Sequence, residues 1–266
     1  MEAVSMFMAL SDFIPPLLYL AGCWCIVATM RRMGERELSH MFMAGAGLAF
    51  LSGVLKASSK VLDAAAGRPV TETGFLYDHM FPMMAVGFLA TAVAIILGAR
   101  RYSGRDTRGR RTPFAETSSW VSPFLAGIFL GLAFGLVLAA DYAAPQLRPH
   151  LAQVKRWSMM AMIVLQLATI GILAWFSFRE RIVAAGVLSV AAIVLMLAMG
   201  MLASPSMQAR FEDRTLMNLL DQAVNVAAQG TFAAAALLVW LRAKAGGVAG
   251  VAGAPHMADD GRRSES

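Results

Sequence analysis

Two groups of polar side chains in this chain have spacings that could support chemistry. Asn218, Gln222, Asn225 and Gln229 recur at i, i+4, i+7 and i+11, which on a helix is one continuous stripe. Asp221 sits beside that stripe, three residues after Asn218 and four before Asn225. Lys56 and Lys60 share a helix face in the same way, and Ser52 lies one turn before Lys56. Amides in a stripe can orient a small polar molecule through hydrogen bonds, and an ammonium can hold its anionic group. A buried Lys–Asp pair can also carry a proton, because breaking the pair is costly and protonation relieves that cost. The same amides can act as interhelical links, each worth ~0.6–2 kcal/mol. Both roles fit the stripe.

These residues interrupt a chain that is otherwise strongly apolar. Of 266 residues 58% are apolar and 15% charged, with a mean hydropathy of +0.61, whereas an ordinary soluble domain has roughly 45–50% apolar and ~25% charged residues. A water-soluble enzyme, a disordered chain and a disulfide scaffold are thereby excluded, the last because there are only 2 Cys. A helix needs ~20 apolar residues to cross ~30 Å of hydrocarbon. Seven stretches approach that length: about Phe13 to Met30, Met41 to Ser59, Met80 to Ala99, Trp120 to Ala140, Trp157 to Phe178, Ile182 to Ala203 and Leu216 to Leu241. They are too long for barrel strands and show no alternation. The expected fold is therefore all-α, a seven-transmembrane-helix bundle over residues 1–242, followed by a disordered cytoplasmic tail at 243–266. Arg179, Glu180 and Arg181 leave room only for a tight antiparallel hairpin between the fifth and sixth spans. The leader before Asp12 has no Lys or Arg, so the first span is read as a membrane span and not as a cleaved signal.

Lys and Arg are retained on the cytoplasmic side. Alternate loops plus the C-terminal tail hold fifteen of the 23 Lys and Arg, including the cluster Arg100, Arg101, Arg105, Arg108, Arg110 and Arg111. The N-terminus is accordingly expected outside and the C-terminus in the cytoplasm of a multi-pass protein of the cell membrane, with a bacterial inner membrane as the expected setting. Trp120, Trp175 and Trp240 then fall at the cytoplasmic interface. The net charge of +6 is a topology signal and does not point to nucleic acid.

On this topology Asp12, Lys56, Lys60, Asp78, His79, Asp141 and Asp221 all converge on the outer half of the bundle. Asp12, Lys56, Asp78, His79, Asn218, Asp221, Gln222, Asn225 and Gln229 are therefore the candidate ligand-binding residues, with Lys56 facing Asp12 or Asp221. Gly127, Gly131 and Gly135 form G-x-x-x-G-x-x-x-G in the fourth span and are assigned to close helix packing, within the bundle or across a homo-oligomer.

Other chemistries fit poorly. The 4 His are scattered over different loops and ends, which argues against a His-rich zinc site and against haem, so no metal ligands are assigned and no cofactor is specified. No Lys lies between Arg214 and Arg242, which removes the Schiff base that a retinal protein needs. Cys23 and Cys25 are two residues apart, so they point to different helix faces and cannot bridge. The expected function is a non-enzymatic binder or transporter of a small-molecule or anionic ligand, working in a lipid bilayer without nucleic acid. The alternative is a scaffold or accessory subunit that packs through its glycine-rich span. An intramembrane enzyme built on the Ser52–Lys56 spacing is third.

Overall fold

The computed structural model describes residues 6–67, 71–103, 148–202, 207 and 214–245, and all regular structure among them is helical. The described residues form seven helices in chain order: α1 Met6–Ser11, α2 Ile14–Arg32, α3 Arg36–Ala66, α4 Thr71–Ser103, α5 Arg148–Arg179, α6 Val183–Leu202 and α7 Arg214–Lys244. The stretches Met6–Arg32 (α1 and α2 together), Arg36–Ala66, Met80–Ser103, Gln153–Arg179, Val183–Leu202 and Leu216–Lys244 are each long and apolar enough to cross a membrane, giving 6 such helices among the described residues. In hydrocarbon each backbone N–H and C=O must be bonded within its own segment, so helices are the available solution. The fourth expected span, with Gly127, Gly131 and Gly135, lies outside the described residues.

Local sequence explains where the helices start and stop. Pro15 and Pro16 open α2, where the first turn needs no N–H donors. At its other end α2 closes in a Schellman motif, with the N–H of Glu35 donating to the Met30 carbonyl and that of Gly34 to Arg31. Gly34 supplies the left-handed residue, at φ 83. The hairpin between α5 and α6 repeats this design: Ile182 N–H donates to Ser177 and Arg181 N–H to Phe178. Here the left-handed position is held by Arg181, at φ 59. The tight turn expected at 179–181 is thus present, and its geometry is that of a glycine site filled by arginine.

The helices from α2 to α7 close into a ring, each packing on its neighbour in the chain and α7 returning to α2. Contacts fix their directions. Gly45 meets Gly87 and Leu38 meets Gly98, so α3 and α4 run antiparallel. Leu18 lies by Gly230, Gly22 by Phe232, and Met30 shares a cavity with Val239, so α2 and α7 run parallel. Lys155 lies over Phe81 near the start of both helices, at 5.8 Å, while Tyr102 meets Phe176 near their ends, at 5.2 Å. Neighbouring α4 and α5 are therefore also parallel.

Inside the ring, Tyr19, Phe42, Phe88, Ile170, Leu173 and Phe232 form the core. Tyr19 stacks on Phe232 at 5.8 Å and meets Phe88 edge-on at 5.4 Å. Outside, Trp24, Leu51, Leu89, Val164, Val194 and Leu237 are exposed, as suits a surface whose solvent is hydrocarbon. At the end where α2, α4, α5 and α7 finish, Arg179 covers Trp175 at 5.3 Å and Lys244 covers Trp240 at 5.5 Å. Such amphipathic pairs match a membrane–water boundary.

Candidate functional site

One polar cluster gathers at the end of the ring where α2 begins. Asp12 lies in the two-residue break between α1 and α2, is buried, and pairs with Lys60 of α3. The helix is interrupted there, just before the prolines that open α2, and the carboxylate reaches Lys60 on α3. Lys56, one turn away on α3, is half-buried and feels the charges of Lys60, Asp12 and Asp221. Asp221, half-buried on α7, feels Lys56, Lys60 and Asp12 in return. Because α3 and α7 are not ring neighbours, these charges approach one another across the end of the ring. Four residues up to about 200 positions apart in sequence are thus brought together.

Along α7 three polar atoms are buried and lack a hydrogen-bond partner among the described residues: Asp221 Oδ1, Gln222 Nε2 and Gln229 Oε1. A buried amide or carboxylate left unbonded costs roughly 1–3 kcal/mol or more. Native structures rarely leave three such atoms on one helix unless water, an ion or a ligand completes them. Two acceptors and one donor are offered along α7, and Lys56, which feels the Asp221 charge, forms no ion pair within 4 Å among the described residues.

The remaining candidates are placed as follows. Asn218 is exposed and Asn225 is half-buried, so the amide stripe enters the bundle from Gln222 onward and becomes fully buried at Gln229. Asp78 and His79 lie in the early turns of α4, outside the described side chains, and Asp141 is outside the described residues. Ser52 is buried, and its hydroxyl donates to the Leu48 carbonyl one turn back at 2.8 Å, which is ordinary helix back-bonding. Ser59 does the same toward Lys56. Cys23 is buried and Cys25 half-buried, and neither forms a disulfide.

A second polar assembly, at the opposite end, was not singled out from the sequence. Glu35 in the α2–α3 turn is buried and bonded to Arg101 of α4 at 3.0 Å. Next to it the Tyr102 hydroxyl donates to the carboxylate of Glu180 in the α5–α6 turn. Arg179 donates to the Ser103 hydroxyl at 2.9 Å and lies over the Tyr102 ring at 5.2 Å. These bonds tie the ends of α2, α4 and α5 together beneath an apolar cavity of about 60 Å³ lined by Met30, Ile95, Leu173, Phe176 and Val239 among others. The signal in the sequence was a carboxylate, Glu35 or Glu180, in each short basic turn. Charge counting for topology treats such residues as neutral background, so the pattern passed unused.

No family model matches this chain, and neither a curated protein nor a solved structure is similar to it.

Proposed function

We propose that this is a seven-span membrane protein that binds, or moves across the bilayer, a small polar solute bearing a carboxylate, through the polar cluster at the Asp12 end. The observation that carries this reading is the set of buried atoms on α7 with no hydrogen-bond partner among the described residues, Asp221 Oδ1, Gln222 Nε2 and Gln229 Oε1, together with a Lys56 amine that interacts with Asp221 and forms no ion pair among those residues. Lys56 would hold the carboxylate, Gln222 would donate to it, and Asp221 and Gln229 would accept from donors elsewhere on the solute. The Asp12–Lys60 pair neutralises the other two charges and braces α3 against the α1–α2 break. Asn225 and the exposed Asn218 line the approach, and Asp78 and His79 would complete the wall from α4.

Seven spans are supported by the parallel run of α4 and α5. A chain that leaves α4 at one face and enters α5 from the other must cross the bilayer an odd number of times between them. Residues 104–147 contain one apolar stretch of the required length, Trp120 to Ala140. The charge asymmetry between alternate loops supports an external N-terminus and a cytoplasmic C-terminus, and with that orientation the cluster would lie toward the outside.

Thermal unfolding of the purified full chain with amino acids and short dicarboxylates tests the reading. At least one of these classes is expected to raise the midpoint of the wild type, and Asp221→Asn and Gln229→Leu are expected to abolish that rise while keeping the helical circular dichroism. A rise that persists in both variants, or none with either class, contradicts it.

A further inference from the structure

The α2–α3 turn carries a charged cleft that the polar cluster at the other end of the bundle does not explain. Arg31, Arg32, Arg36 and His40 line an open concavity of about 550 Å³. No carboxylate forms an ion pair with any of these four among the described residues. The turn's own acid, Glu35, is buried and committed to Arg101 at 3.0 Å. That commitment points the carboxylate into the bundle and leaves the cations facing outward. Arg31 Nε donates weakly to the Ser39 hydroxyl at 3.4 Å, and the Ser39 hydroxyl itself donates to the Arg36 carbonyl at 2.6 Å. With the Schellman bonds at Gly34 and Glu35, the backbone under the cleft is fixed on both sides.

The position of the cleft matters as much as its charge. One apolar span ends at Arg32 and the next begins at Arg36, so the cleft lies at the level of the lipid headgroups. From it His40, Ala44, Gly47 and Leu51 follow at i, i+4, i+7 and i+11 along α3, with His40, Ala44 and Leu51 exposed. A Cβ added at Gly47 would meet nothing within 4 Å. Below a cradle of guanidinium groups there is thus a smooth apolar track of small residues. Guanidinium forks match phosphate oxygens two at a time, and basic pockets at helix ends are suited to acidic headgroups.

We propose that this cleft binds the phosphate of an anionic phospholipid, whose acyl chain lies along the Ala44–Gly47 track of α3. The site is separate from the polar cluster and stands or falls independently of it.

The test uses the full chain in phosphatidylcholine nanodiscs, with phosphatidylglycerol titrated in and retained lipid counted by native mass spectrometry. Wild type is expected to retain phosphatidylglycerol saturably. Arg32→Gln/Arg36→Gln is expected to weaken this by about 30-fold, the loss that two arginines near an acidic surface carry. Arg242→Gln/Lys244→Gln removes two charges from the same end of the bundle and is expected to leave retention intact. Gly47→Leu, which alters no charge, is expected to lower retention by obstructing the track. Equal loss in both charge variants would mean diffuse attraction and would overturn the proposal. So would displacement of the lipid by inorganic phosphate at millimolar concentration, which would mark a soluble-anion site, or full retention in Arg32→Gln/Arg36→Gln.

Discussion

Gly45 on α3 and Gly87 on α4 meet backbone to backbone: a Cβ on Gly45 would fall 2.6 Å from the Gly87 carbonyl oxygen, and one on Gly87 would fall 2.7 Å from that of Gly45. Ala49, Ala90 and Thr91 complete the contact, so the most intimate helix pair in the ring is built from small side chains. Because the obstacle on each side is backbone, it cannot swing away. Gly45→Ala is expected to lower stability by about 1–3 kcal/mol through overpacking, and Gly87→Val by more. Gly47→Ala, two residues away in open space, is expected to cost nothing beyond experimental scatter. Unfolding of the three variants in detergent, followed by circular dichroism, checks the ordering.

Arg181 offers the opposite experiment. It occupies a left-handed conformation, at φ 59, that disfavours an L side chain by about 1–2 kcal/mol. Replacement by glycine removes that strain but adds freedom to the unfolded chain, worth roughly 0.4–1 kcal/mol in the other direction. Arg181→Gly is therefore expected to be neutral to stabilising by up to about 1 kcal/mol. Arg181→Val, which suits that conformation less than arginine does, is expected to destabilise. Thermal midpoints of the two variants read the sign.

The parallel neighbours α4 and α5 make a topological prediction. A reporter that is active only outside the cell is expected to work when fused after residue 145 and to fail after residue 110, and a reporter that fluoresces only in the cytoplasm is expected to work when fused after Lys244. Activity of the external reporter at both 110 and 145 would remove the fourth crossing and the seven-span reading with it.

Much of the fold was legible because hydrocarbon imposes a length on apolar runs, and the stretches around α2, α3, α5, α6 and α7 carry that length plainly. Boundaries were less legible. Counting apolar residues stops near Met41 and Ser59 in the second span, yet α3 runs from Arg36 to Ala66. Its hydrogen-bond ladder continues past the charges, whose long side chains reach water from inside the helix. The packing glycines were hidden for a different reason. G-x-x-x-G is visible when one stretch of sequence holds both glycines, as at Gly127 and Gly131, but Gly45 and Gly87 each stand alone and make a motif only once α3 and α4 face each other.

In the polar cluster, the i, i+4 spacing showed that Lys56 and Lys60 share a face but not which of them Asp12 would choose. Asp12 pairs with Lys60, the lysine farther along α3. That choice depends on tertiary placement at the break between α1 and α2, which no periodicity records. It leaves Lys56 for Asp221 and for whatever enters the site.

Water access to the α7 amides tests the central claim most directly. In a Cys23→Ser/Cys25→Ser background, Gln222→Cys and Gln229→Cys would be exposed to a small, membrane-impermeant methanethiosulfonate reagent added from outside intact cells, with Leu219→Cys, at a position exposed among the described residues, as the control. A thiol reacts as its thiolate, which forms only where water reaches it. The account predicts modification at 222 and 229, slowed by Lys56→Trp, with little at 219. Inert thiols at both amide positions, in protein that still folds, would show a filled interior and contradict it.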